Sequence, residues 1–204
     1  MNLRRWLTPG IGIKQYPCCG STHPAIDAML EIVARRRIEP QEVERIDGWI
    51  HARRLRHTNR PRPGSPLDAK FSLQYVLARA LMDQAVGVPH FEEGSYNDAR
   101  IAALLPRIHA APYDESQFAR DNHFGGAVRV TLRDGSVESV RVEQALGRTS
   151  YNPVPLARLR RKFELCAARV LREDAVAPIA DAIAAIDTLA DVRTLTELLT
   201  ATRA

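Results

Sequence analysis

Lysine is scarce in this chain. Of its 29 basic residues, three are lysines, Lys14, Lys70 and Lys162, and the other 26 are arginines. Arginine-rich codon usage writes a guanidinium wherever a surface cation suffices, so a retained lysine is informative. Its compact ammonium can lose a proton when buried, and a guanidinium effectively cannot. Cysteine is scarce as well. Three cysteines, Cys18, Cys19 and Cys166, leave an odd thiol, which argues against a disulfide framework and fits a reducing cytoplasm. No apolar run approaches the roughly 20 residues needed to span a bilayer. The first ten residues carry two arginines and no apolar segment, so no signal peptide is expected. Hydrophobic residues at 45% and charged residues at 26% are what a soluble globular chain of 204 residues, one or two domains, requires.

The pattern along the chain predicts an α+β fold with an all-α tail. Residues 1–21 read as an irregular arm, punctuated by Pro9, Gly10, Gly12, Pro17 and Gly20. A helix follows, capped by Thr22, with Pro24 in its first turn and Ile26, Met29, Leu30 and Val33 as its apolar stripe. Ile46, Gly48, Ile50 and Ala52 alternate with polar neighbours as a strand, and residues 58–66 read as a loop. Helices are expected over 71–82 and 97–105, then a short strand over 107–111. Val128, Val130 and Leu132, an Asp134-Gly135 turn and Val137, Val140 and Val142 make a hairpin. These elements, residues 22–149, form an α+β domain with a small antiparallel sheet. After Asn152-Pro153 only helices are expected, over 156–171, 175–186 and 192–202, so residues 150–204 form a helical segment. Leu156, Leu159, Phe163, Cys166 and Val170 are expected on one apolar face of its first helix, with Ile179, Ile183 and Ile186 on the second.

The chemistry is densest between Gly12 and Leu30, GIKQYPCCGSTHPAIDAML. Zinc is a poor reading, because adjacent cysteines chelate badly and Cys166 lies far away. A Cys–His nucleophile pair has no supporting signature. Cys18 and Cys19 also read simply as small residues flanking a turn. A third reading uses the helix start: Gly20, Ser21 and Thr22 present amide groups where an anion is favoured, with Lys14 and His23 as cationic donors on either side. That arrangement suits a carboxylate.

Lys14-Gln15-Tyr16-Pro17-Cys18-Cys19, Thr22-His23 and Asp27-Ala28 resemble the K-x-[YF]-P-x-C, [ST]-H and D-A segment of the MmgE/PrpD family. The strand Val43 to Ala52 with Asn59-Arg60-Pro61, the block Ala69-Lys70-Phe71-Ser72-Leu73-Gln74-Tyr75, the Asp-Gly-Ser hairpin turn and Asn152-Pro153 with Lys162-Phe163 match further blocks in the same order. All three lysines fall within them. The resemblance implies an α+β lid followed by helices that return to a large helical domain, whose N-terminal half has no counterpart in this sequence. It implies a small di- or tricarboxylate substrate, no metal and no organic cofactor, and proton abstraction beside a carboxylate followed by loss of water, loss of CO2 or reprotonation. By the same resemblance Lys14, His23 and His57 are the catalytic candidates, with Tyr16, Cys19, Gly20, Ser21, Thr22 and Lys70 around the substrate. Cys19 stands where decarboxylating members carry a histidine, and His57 where they carry an active-site tyrosine. Lys70 and Tyr75 also fit a bracing role in the lid helix, and His57 also fits a solvated histidine at the end of an arginine-rich strand. The chain is expected to be inactive alone and to form a homo-oligomer or a complex with a helical half.

A rival reading is nucleic-acid binding. The net charge is +5, and Arg53, Arg54, Arg56, Arg60 and Arg62 lie between His51 and Arg62. Against it, aromatic residues make up 6% of the chain and no recognised binding motif appears. A non-catalytic interaction protein is the remaining alternative.

Overall fold

A computed structural model describes residues 12–200. The chain divides between Pro153 and Val154 into two compact units. The first holds a four-stranded mixed sheet with strand order β2-β1-β3-β4. Its strands are β1 (Val43–Ile50), β2 (Ile108–Pro112), β3 (Gly126–Leu132) and β4 (Val137–Val142). The β3–β4 hairpin forms where the Asp134-Gly135 signal places it, with Gly135 at φ +85°. At that φ a side chain would strain the backbone, which is why glycine suits the turn. The β1–β2 pair is parallel. A parallel pair needs a long crossover, and the chain between them supplies it with α2 (Ala52–Thr58), α3 (Pro66–Lys70), α4 (Leu73–Asp83) and α5 (Ala99–Leu104). The expectation of a purely antiparallel sheet is therefore corrected at this edge.

The first helix, α1 (His23–Arg35), and α4 pack on the sheet and complete its core. Ile26, Met29 and Ile32 of α1, Leu73, Tyr75 and Leu77 of α4, and Val43, Ile46 and Ile50 of β1 are fully buried. A register shift between Val43 and Arg45 lets both Val43 and Ile46 face inward, which strict alternation forbids. Tyr16 and Cys18, from the irregular segment before α1, belong to the same core.

Two local expectations are corrected. Thr22 does not cap α1 with its side chain; its hydroxyl donates back to the Cys19 carbonyl at 2.8 Å, and residues Gly20–Thr22 form a 3₁₀ turn. The strand ends at Ile50, and the arginine-rich run after it is helical, α2, so His57 is a helix residue. His51 caps that helix, its Nδ1 accepting the Arg53 amide at 3.2 Å. Histidine is not among the usual capping residues, so the alternating pattern ran on past the true strand end.

The second unit contains α6 (Leu156–Ala167), α7 (Glu173–Ala184) and α8 (Arg193–Leu199). Its small core is Ala167, Leu171, Ala175, Val176, Ile179 and Leu195, with Phe163 packed against it. Of the apolar face expected on the first of these helices, Phe163 packs on this core while Leu156, Cys166 and Val170 are exposed; the buried position of α6 is Ala167. On α7, Ile179 is buried while Ile183, and Ile186 beyond the helix, are exposed.

At Gly126 the start of β3 meets α1 backbone to backbone. A Cβ there would lie 2.9 Å from the Ala25 nitrogen, whereas at Gly48 it would meet the movable Leu77 Cδ1 at 2.8 Å. Gly126→Ala is expected to destabilise the protein by about 1–3 kcal/mol, and more than Gly48→Ala, because a main chain cannot step aside as a methyl group can. Paired chemical denaturation curves check this ordering; equal midpoints for the two variants contradict it.

Candidate functional site

The segment before α1 is held on both sides. The Ile13 amide donates to the Gly147 carbonyl at 2.7 Å, and the Cys19 amide donates to the Lys70 carbonyl at 2.9 Å. Tyr16 donates its hydroxyl to Asp27 Oδ1 at 2.5 Å, and Asp27 Oδ2 accepts the Leu146 amide at 3.0 Å. Asp27 thus fastens this segment and the loop after β4 to the first turns of α1. His23 is buried and meets Tyr16 edge-on, with ring centroids 5.1 Å apart.

At the surface end of this assembly α2 delivers His57. Its Nε2 lies 3.3 Å from Ser21 Oγ and 3.6 Å from Cys19 Sγ. The two cysteines are unequal. Burial pushes the Cys18 thiol up to about 12, so it stays protonated and inert at neutral pH. Cys19 is half-buried and faces the imidazole. Lys14 is exposed and its Nζ donates to the Cys18 carbonyl at 3.2 Å, on the same turn. The Thr22 amide is engaged with the Cys19 carbonyl at 3.0 Å, which removes one of the amides counted toward an anion nest. Lys70 contributes its carbonyl to the Cys19 amide, and Tyr75 is fully buried with its hydroxyl on the His90 carbonyl. The structure therefore brings Cys19, Ser21 and His57 together, sets Lys14 on the carbonyl of the neighbouring Cys18, buries His23 and Tyr16 against each other, and uses Lys70 through its backbone.

Two residues missed in the sequence line the same place. Arg54 and Arg148 both lie on the Phe124 ring, 4.4 and 4.2 Å from its centroid. Arg54 also reaches Ser21 Oγ at 3.5 Å and donates to the His123 carbonyl at 2.7 Å. Arg148 comes from the loop after β4, more than 90 residues away in sequence from Arg54. In a chain with 26 arginines, no local signal separates these two from the rest. Among the described residues no group of three or more His, Cys, Asp or Glu side chains could hold a metal ion.

Residues 16–188 match the family description MmgE/PrpD C-terminal domain. The chain belongs to the MmgE/PrpD family. It is 28% identical to a cis-aconitate decarboxylase of Aspergillus terreus over 204 residues, covering 95% of this chain and 41% of that protein. It is also 28% identical to the cis-aconitate decarboxylase of Homo sapiens, covering 93% of this chain and 40% of that protein, and 26% identical to that of Mus musculus. This MmgE/PrpD chain thus spans about two-fifths of the length of the curated relatives it matches, and it aligns with their C-terminal part. No helix of the described residues is long and apolar enough to cross a membrane.

Beside the site, the His51 and His123 rings meet edge-on, His51 Nε2 lying 3.0 Å from His123 Nδ1. Because His51 Nδ1 accepts the Arg53 amide, its neutral tautomer carries the proton on Nε2 and donates it to His123. Burial, then His123, Arg54 and Arg53, hold the His51 pKa below its ordinary 6.5. His90 is lowered too, by burial and by Arg79, with Asp83 opposing. Below pH 6.5 the unfolded chain therefore binds protons that the folded chain refuses, and stability rises with pH. The melting temperature is expected to be level from pH 7 to 8 and to fall as the pH drops from 6.5 toward 5. His51→Asn, whose amide oxygen can still accept the Arg53 amide, should reduce that fall. A flat profile from pH 7 to 5 contradicts the assignment.

Proposed function

We propose that this chain forms the lid-side wall of a cofactor-independent site that handles a small di- or tricarboxylate. The observation that carries the reading is the meeting of His57, from α2, with Cys19 and Ser21 before α1, next to the Cys18 carbonyl that Lys14 holds. Removing a proton from carbon next to a carboxylate leaves an electron pair that spreads onto the carboxylate oxygens. Such a step needs a base and a cation. Neutral His57 takes the proton on Nε2, with the Ser21 hydroxyl or the Cys19 thiol donating to that nitrogen in the resting state. Lys14 supplies the cation. The electron pair then expels a β-hydroxyl, which takes the Cys19 thiol proton and leaves as water, or the carbon is itself reprotonated by that thiol. Loss of CO2, the reaction in the names of the Aspergillus terreus and Homo sapiens relatives, instead leaves the electron pair of the broken C–C bond on carbon, where an acid must deliver a proton.

The remaining acid and base groups are proposed to come from a helical half. Exposed Leu156, Leu165, Val170, Ile183 and Ile186 fit a unit that buries apolar surface against a further partner or a second copy. Nucleic-acid binding is not favoured. Arg60 is paired with Asp68, and Arg54 is held on Phe124 and the His123 carbonyl, which breaks up the run.

Cys19 reports on the site. In the native chain, iodoacetamide is expected to alkylate Cys19 and the exposed Cys166 and to spare buried Cys18. Millimolar cis-aconitate or citrate should slow labelling of Cys19 several-fold, leave Cys166 unchanged, and lose this protection in Lys14→Ala. The chain alone should show background decarboxylase, dehydratase and epimerase rates, since each general acid–base group contributes roughly 10²–10⁴-fold. Absence of protection contradicts the site, and brisk turnover abolished by Lys14→Ala contradicts the half-site.

A further inference from the structure

Two guanidiniums are packed on one phenyl ring without an acidic partner. Elsewhere in this chain arginines sit on carboxylates: Arg45 on Asp47, Arg79 on Asp83 and Asp98, Arg141 on Glu143. Among the described residues neither Arg54 nor Arg148 makes an ion pair, and the charges that press on Arg54 include Arg148 and Arg53. Two like charges held together cost free energy. Phe124 returns part of it through its ring face, and the His123 carbonyl fixes Arg54 in place. The cleft they line, with Gly20, Ser21 and Pro24, is small and open to solvent, so it can receive at most one group of a larger molecule.

We infer that Arg54 and Arg148 form a subsite for one carboxylate of a polycarboxylate, adjoining the Cys19–His57 pair through Ser21. The ligand supplies the negative charge that the fold withholds. A flat oxyanion matches the planar guanidinium fork, which can bind it with two parallel hydrogen bonds. Ser21 Oγ, 3.5 Å from Arg54 Nη1 and 3.3 Å from His57 Nε2, joins the two halves of the site. One carboxylate anchored on the arginines would hold the carbon bearing the second near His57. The sequence run that suggested nucleic acid thus contributes one of its arginines to a small-anion cleft. This inference rests on the polycarboxylate reading of the neighbouring Lys14, Cys19 and His57.

Calorimetric titration of the full chain with citrate tests it, with inorganic phosphate and acetate as comparison probes. Citrate is expected to bind, and phosphate and acetate to bind at least about 10-fold more weakly. Arg54→Gln and Arg148→Gln should each weaken citrate about 10-fold or more, as loss of a charge-assisted hydrogen bond requires. Arg54→Lys and Arg148→Lys keep the charge and lose the fork; they should weaken citrate several-fold, and they carry the test if a glutamine variant does not fold. Citrate affinity that falls in Lys14→Ala and holds in all four arginine variants overturns the arginine subsite and leaves the Lys14 reading standing. Affinity that falls in the arginine variants and holds in Lys14→Ala supports the subsite and removes Lys14 from the reading. Phosphate binding as tight as citrate overturns the carboxylate assignment, and no citrate binding to the wild-type chain overturns the subsite outright.

Discussion

Asp27 is the constraint on which the site depends. Its carboxylate sits one turn into α1 and takes a hydroxyl from Tyr16 on one oxygen and the Leu146 amide on the other. Hydrogen bonds to a carboxylate contribute more than neutral ones, typically about 1.5–3 kcal/mol. The two bonds join the segment carrying Lys14 and Cys19 to the loop carrying Arg148, and both to a helix whose other face is buried in the core. A loop-built site is thereby given the positional certainty of a packed element. The Ile13–Gly147 and Cys19–Lys70 backbone bonds extend the same fastening to either end of the segment.

The electrostatics follow from what is excluded. Most arginines whose contacts are described meet an acid nearby, and among the described residues Arg54 and Arg148 make no ion pair. The two guanidiniums on Phe124 therefore make the field in their cleft favour an anion. The buried Cys18 and the half-buried Cys19 show how one residue of displacement changes chemistry. Cys18 is a core side chain with its thiol pushed up to about 12, and Cys19 faces an imidazole.

The legible parts were those written in local pattern. The β3–β4 hairpin was readable from valine alternation around Asp134-Gly135, and α1 from its apolar stripe and Pro24. The approach of His57 to Cys19 and Ser21 was suggested only by the ordered family blocks; no spacing within the chain links position 19 to position 57. The rest was hidden for physical reasons. The parallel β1–β2 edge joins strands far apart in sequence, and no local pattern fixes the direction of that pairing. Helix α2 starts from a histidine cap that copies the role of serine or aspartate. Arg54 and Arg148 become distinctive only when Phe124 gathers them and no acid follows. In the helical unit, the buried position of α6 is the small Ala167, which a stripe of larger apolar residues does not mark.

The central claim is that an anion-selective cleft sits where α1, α2 and the loop after β4 meet. Amide shift mapping by ¹H–¹⁵N correlation spectroscopy, with citrate titrated into the labelled chain, tests it most directly. The account predicts saturable shifts concentrated at Cys19–His23, Arg54, His57 and the residues around Arg148. Shifts spread over exposed Arg53, Arg56 and Arg62, or no saturable shifts at all, would contradict it.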